Sequence, residues 1–501
     1  MGRRDVLLES SREQVIFASD PRAESPECRF DRHLPNLRLR CPLVFCKLTS
    51  DVLRSRELTS HQSFWLLAVV VIGSQFAYAA ETMTDSEAAK VLIGRGAILD
   101  WNDKLPQRPV SSVSFAGATA PTLAELRLLG SFNDLRKLEL NHVSIDDASL
   151  DAIVALPYIT DLTLENAGIT DAGVKKIKQL RGLSRLVLNE NPITDAVVNE
   201  LLELPELMEL ALGGTRVTDA AVARLGQIKK LTRIFLWKTA LTDAGLKELG
   251  QLHRLHWLFV GQTAITDDGL KMIVGLNELT ELNVRETAVS DVGLKEVRKL
   301  TTLTNLDIEG TKVTDAGLPE LQTLKKLHKL WVGETAVTDA GLKEIGQHPK
   351  LITLGLHATK ISDAGLKELG SLRVLARLDL RETGVSGAGI KQLREVRSLR
   401  RIDLYGNRSF QDADLREIKD LQNLTEVWVG QTGITDAGLK ELAAIKGLTW
   451  IQLEKTAVTD AGLMELRGLS QLSKLELGET RVTEAGIREL IRALPHLKII
   501  R

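Results

Sequence analysis

Apolar residues recur along most of the chain at two alternating spacings. In Leu231 to Arg254, LTRIFLWKTALTDAGLKELGQLHR, Leu231, Ile234 and Leu236 are separated by variable positions, with the period-two alternation of a strand that buries one face. Leu246, Leu249 and Leu252 then recur three apart and give a helix one apolar stripe. The same order returns in Leu303 to Lys326, LTNLDIEGTKVTDAGLPELQTLKK, and in Leu448 to Gln471, LTWIQLEKTAVTDAGLMELRGLSQ. Fifteen such units run from Leu135 to His496, thirteen of 24 residues and two of 25. A degenerate sixteenth, Val110 to Asp134, keeps Val113 and Phe115, and Leu497 to Arg501 begins another strand. Each unit predicts one short strand and one short helix, neither of which buries its apolar face alone; stacking the units buries both.

The remaining fixed positions carry backbone chemistry. The first position of a unit is Leu in fourteen of fifteen cases, with Ile159 the exception. The ninth is Thr in eleven units, Thr215 and Thr239 among them, and Asn in two, Asn191 and Asn407. A polar side chain there can satisfy backbone groups where each coil leaves its strand. Thr242 or Asp243 can cap the following helix. The repeated glycine (Gly245, Gly317, Gly341, Gly438) costs helix stability, and close packing of helix on strand is its expected reason. The pattern LxxLxLxx(T/N)x(V/I) followed by TDAGL resembles the repeats of bacterial exported leucine-rich repeat proteins over about residues 84–501. It is also similar to the ITDxGL repeats of eukaryotic F-box leucine-rich repeat proteins, without their cysteines and with no F-box ahead of it. The resemblance implies an α/β fold, a right-handed leucine-rich repeat solenoid (a horseshoe) of about sixteen repeats over residues 110–501. Its parallel strands would line the concave face and its short helices the convex face. On function the resemblance is nearly silent, because the shared residues are scaffold residues.

Ahead of the repeats, residues 81–109 are expected to form an N-terminal cap. Thr84-Asp85-Ser86-Glu87 reads as a capping box, Ala88 to Ile93 as a helix, and Gly94 and Gly96 as its end. Residues 61–80 read as a signal peptide: Arg54 and Arg56 precede an uncharged run from Phe64 to Ala80, which contains the small-x-small site Ala77-Tyr78-Ala79. The mature chain is expected to begin at Ala80 or Glu81, with an uncleaved signal anchor as the alternative. Residues 1–60 are mixed in charge, hold four prolines and show no periodicity, so they read as a disordered extension or a misassigned start. A secretory signal places the protein in the periplasm, the cell envelope or outside the cell. At the other end, nothing follows Leu497 to Arg501 to cover that strand's edge, which predicts self-association or a partner contact there.

Composition narrows the chemistry. Sixty-five Lys and Arg against 66 Asp and Glu leave a formal charge of −1, which argues against a nucleic-acid binder. Cys28, Cys41 and Cys46 all precede the signal run, so the repeats hold no disulfide, cysteine zinc site or thiol nucleophile. No phosphate-binding loop, HExxH or GxSxG motif is present. The expectation is a non-enzyme without metal or cofactor. His357 is expected to be a solvated side chain, and Asp379 and Asp403, in adjacent units, to be neutralised by Arg377, Arg381 and Arg401.

The informative surface is the outward set of strand positions: three, five and seven of each unit. All five tryptophans of the repeats fall there, Trp237, Trp257, Trp331, Trp428 and Trp450, together with Phe235, Phe259 and Tyr405. Large aromatics turned outward on a concave sheet predict a partner surface. Phe235, Trp237, Trp257 and Phe259 are expected to form one patch, with Arg233 and Arg285 at its rim. Arg381, Arg401, Tyr405, Trp428 and Trp450 form a second, beside the irregular unit Leu399 to Asn423, whose extra residue is expected to bulge its loop. The expected function is a non-catalytic scaffold that binds a macromolecule, a protein first. The alternatives are cell-surface polysaccharide, and an intracellular adaptor role if the signal is not used.

Overall fold

The computed structural model describes residues 85–501 apart from Pro106. The signal run, the segment before it and Thr84 of the capping box lie outside the described residues. Helix α1 (Asp85–Gly94) buries Ala88, Ala89 and Leu92 against the first coil. It leads to β1 (Ile98–Trp101), which pairs antiparallel with β2 (Val110–Ser114). From β2 onward each strand is parallel to the next: Ser112 stands beside Lys137 of β3 (Lys137–Glu139), and the ladder continues to Lys498–Ile500. One 18-stranded sheet results. Short helices form the opposite layer, and Leu, Ile or Val at positions one, four and six of every unit is packed between the two. Helices are thicker than the roughly 5 Å spacing of strands, so stacking the units puts the sheet on the inside of the curve.

Each regular strand is only three residues long, Arg233–Phe235 for example, and the inter-repeat bonds continue past it. Leu236 and Lys238 donate their amides to Phe259 and Gly261 of the next unit. Position eight then adopts a left-handed conformation in unit after unit (Lys238 φ 53°, Gln262 φ 55°, Glu286 φ 51°). A non-glycine residue in that region costs about 1 kcal/mol or more, a cost the inter-repeat bonds offset. The ninth-position polar group closes the turn as expected: Thr239 Oγ1 donates to Leu236 O at 2.7 Å. Asn191 does more, donating to Leu164 O and Leu188 O and accepting from Ile169 N at 2.9 Å.

Thr242 caps the helix Asp243–Leu249, its Oγ1 accepting from Ala244 N at 3.2 Å. The aspartate beside it has a different task from the local cap expected. Asp219 reaches the next unit, where its two oxygens accept from Thr242 N at 2.8 Å and Thr242 Oγ1 at 2.5 Å. The same latch joins Asp243 to Thr266, Asp267 to Ser290, and so on to Asp460 and Thr483. It also explains the glycine, for which helix-on-strand packing was the wrong expectation. A Cβ at Gly245 would overlap Asp219 Oδ1 and Leu241 Cδ1, so the residue is small to admit the preceding unit's carboxylate.

The irregular unit is absorbed within the solenoid. Its extra residue leaves Arg408 and Ser409 exposed, while Phe410 fills the core position. Gly387, in the unit before, stands where the latch aspartate belongs, and Asp414 replaces it by accepting from Gly387 N at 2.9 Å and Gln411 N at 2.7 Å. Two departures from the repeat thus compensate each other. In two units the helix is of the tighter 3₁₀ form, Leu318–Thr323 and Leu366–Ser371. Among the described residues no helix is long and apolar enough to cross a membrane.

Candidate functional site: the sheet face

Parallel pairing places Phe235 beside Phe259 and Arg233 beside Trp257. The two phenylalanine rings lie 4.7 Å apart, and Trp257 meets Phe235 edge-on at 6.3 Å. The Arg233 guanidinium stacks 4.5 Å above Trp257 and pairs with Glu209 at 2.7 Å. Trp237 turns the other way and lies across Gly213, where a Cβ would overlap its indole. It still faces Phe259 across a shallow hollow of about 230 Å³, lined also by Gly261, Gln262, Asn283 and Arg285. The rings of this patch are half-buried against one another and the backbone.

The second group divides. Trp428 and Trp450 lie 4.7 Å apart, with Arg401 4.0 Å above Trp428 and Lys474 3.6 Å from Trp450. Arg401 also pairs with Glu426 at 2.7 Å, not with Asp379 or Asp403 as expected. Tyr405 stands apart, its ring across Gly430. Arg381 leaves the aromatic group altogether. Its Nε and Nη2 grip Asp379 at 2.9 and 2.7 Å, and Nε lies 3.4 Å from Asp403. Trp331 is remote from both ring clusters and lies against Gly355. Of the three arginines expected to neutralise Asp379 and Asp403, Arg381 is the one that pairs with them, so a single cation stands between two carboxyl groups.

Sequence reading missed the centre of the face. His357 is not solvated: its side chain is 13% exposed and stands 3.4 Å from Glu309, 3.3 Å from Glu334 and 3.6 Å from Asp379. Burial, reinforced by Asp307, raises the Glu309 carboxyl to about 7. Burial and the neighbouring Asp379 raise Asp403 likewise to about 7. The available signal was the run of acidic residues at positions five and seven of nearby units (Asp307, Glu309, Asp379, Asp403), interrupted by Gly333 and Gly355. Among the described residues no group of His, Cys, Asp and Glu is arranged to hold a metal ion.

The raised carboxyls have a consequence for stability. An unfolded Asp titrates near pH 4, whereas folded Asp403 keeps its proton to about 7. Between those values the folded state holds more protons, so the contribution of Asp403 is full below pH 4 and is lost as pH rises to about 7. The thermal midpoint of the wild type should therefore fall between pH 5 and pH 8 by more than that of Asp403→Asn. Equal falls in the two proteins would show that Asp403 ionises normally.

Sheet, convex helices and repeat chemistry together define a leucine-rich repeat solenoid. No protein-family model matches the sequence, and no curated protein does. Solved structures to which it is similar include an internalin from Listeria monocytogenes, at 22% identity and a TM-score of 0.41 over 65% of this chain and 82% of that one. A leucine-rich repeat protein of Leptospira interrogans is 22% identical, with a TM-score of 0.47 over 77% of this chain and 94% of its own. The leucine-rich repeat ectodomain of an Arabidopsis thaliana membrane receptor kinase is 13% identical, with a TM-score of 0.34 over 78% and 55% of the two chains.

Proposed function

We propose that the chain is a non-catalytic binding scaffold, exported by the signal at residues 61–80, whose sheet face recognises a protein partner. One observation carries the reading. The aromatic side chains of the face are held in place by neighbours of matching size and charge: Trp237 by Gly213, Tyr405 by Gly430, Trp257 by Arg233, Trp428 and Trp450 by Arg401. Rings fixed this way lose little conformational freedom on binding, which is what makes aromatic anchors effective. A polysaccharide partner is the second reading, favoured by the Trp428–Trp450 pair, which offers stacking surface beside Glu426 and Gln452.

A photo-reactive phenylalanine analogue at Phe259, with a control at the convex residue Val292, separates these readings. The Phe259 position should give a protease-sensitive adduct from an envelope extract that the Val292 position does not give. An adduct sensitive only to glycosidases would overturn the protein reading. Export has its own check in mass spectrometry of the mature N-terminus, expected at Ala80 or Glu81; soluble cytoplasmic protein still carrying residues 1–60 would overturn it.

A further inference from the structure

Between the two aromatic clusters, Asn305–Asp307, Lys329–Trp331, Thr353–Gly355 and Arg377–Asp379 run side by side. Their outward positions alternate bulk with glycine. A Cβ on Gly333 would overlap the His357 imidazole; one on Gly355 would stand 2.7 Å from Trp331 Cδ1 and 3.3 Å from Glu309 Oε1. Indole, imidazole and carboxylate thus converge over two residues that have no side chain. Glu309 is 8% exposed. Its nearest cationic contacts are His357 Nδ1 at 3.4 Å and Arg285 at 3.9 Å, and that arginine sits closer to Glu286, at 2.6 Å. His357 Nδ1 is itself buried without a hydrogen-bond partner. Around them the five carboxyl groups of Asp307, Glu309, Glu334, Asp379 and Asp403 outnumber the cations that face them, Arg285, Arg381, Arg401 and, when protonated, His357.

We propose that Glu309, Glu334 and Asp379, with the Trp331 ring and His357 beside them, form the subsite that receives a cationic side chain, arginine or lysine, from the protein partner. The proposal rests on the reading of the sheet face as a protein-binding surface. A guanidinium set here can meet carboxylates in its plane and an aromatic ring on its face, the two contacts that arginine makes best. It would also bring a permanent cation to Glu309, whose neighbour His357 is charged only when protonated. The partly buried site makes this pairing worth more than a surface ion pair, because fewer waters compete for either group.

The test uses acetyl-arginine amide and its uncharged isostere acetyl-citrulline amide, titrated into protein carrying ¹⁵N-labelled tryptophan. The Trp331 indole resonance, assigned with Trp331→Phe, is the readout. Acetyl-arginine amide should shift it saturably and the citrulline compound should not. Glu309→Gln, which keeps the shape and removes a desolvated charge, should weaken the response about tenfold or more, and the exposed Glu334→Gln should weaken it less. Because Glu309 and Asp403 give up their protons near pH 7, binding should also tighten from pH 5.5 to pH 8. Equal response to both compounds, no response, or full response in folded Glu309→Gln overturns the subsite. Lys247→Ala, an exposed position on the helix layer, lies outside it and should bind acetyl-arginine amide normally. If the arginine compound fails while the Phe259 photo-adduct persists, the subsite is wrong and the binding face stands; loss of both removes the face as well.

Discussion

Leu249→Ala should lower the stability of the solenoid by about 2–5 kcal/mol, the cost of deleting a fully buried leucine from a core that relaxes only in part. Leu249 is 0% exposed and ends the apolar stripe of the helix Asp243–Leu249, one turn after Leu246. Similar helices flank that unit on both sides, so the cavity opens between repeats and not at a free surface. Set against the roughly 5–15 kcal/mol that holds a typical domain folded, the loss is large. Repeat units contact mainly their neighbours, so the loss should first appear as early melting of a few units, seen as lost amide protection around residues 219–272. Lys247→Ala, an exposed change on the same helix, should move the denaturation midpoint by no more than about 0.5 kcal/mol. If Leu249→Ala leaves the midpoint where Lys247→Ala does, the residue is not in the core.

The fold was legible because its determinants are local and repeated. Leu, Ile or Val at positions one, four and six sets strand pitch and inward face, and TDAGL sets the helix start; each appears often enough that one degenerate unit changes nothing. What escaped detection depends on relations between residues one repeat apart. The Asp219–Thr242 latch is invisible within one unit, because a TD pair reads equally well as a local cap. Gly245 makes room for the aspartate of the unit before it as well as for Leu241 of its own. Lys238 and Glu286 take a left-handed backbone that single-residue preference assigns to glycine, because the bonds to the next repeat outweigh the local cost. On the sheet face, alternation correctly identified the outward positions, but neighbours decide which way a ring turns. Trp237 leans back over Gly213 and not onto Phe235, and His357 lies over Gly333 among carboxylates because no side chain stands in its way.

Trp237→Ala/Trp257→Ala should leave the melting temperature nearly unchanged and weaken partner binding by about two to three orders of magnitude, since each buried aromatic anchor commonly contributes about 2 kcal/mol. The two rings are suited to the comparison because neither supports the leucine core. Trp257 packs on Phe235 and under Arg233, and Trp237 on the backbone of Gly213, all on the outer side of the sheet. Losing them exposes Phe235 and Phe259 without opening a cavity among Leu236, Leu258 and their neighbours, which are 0% exposed from the other side. Arg233 would keep its bond to Glu209 and so hold its place after Trp257 is gone. The effect should appear as faster dissociation, because ring packing forms after encounter and the charges on the face are unchanged. Undiminished affinity of the folded double variant for a partner captured through Phe259 would rule out this patch as the energetic centre. The Trp428–Trp450 pair, clamped by Arg401 and Lys474, would then be the anchor, and Trp428→Ala should show the loss instead.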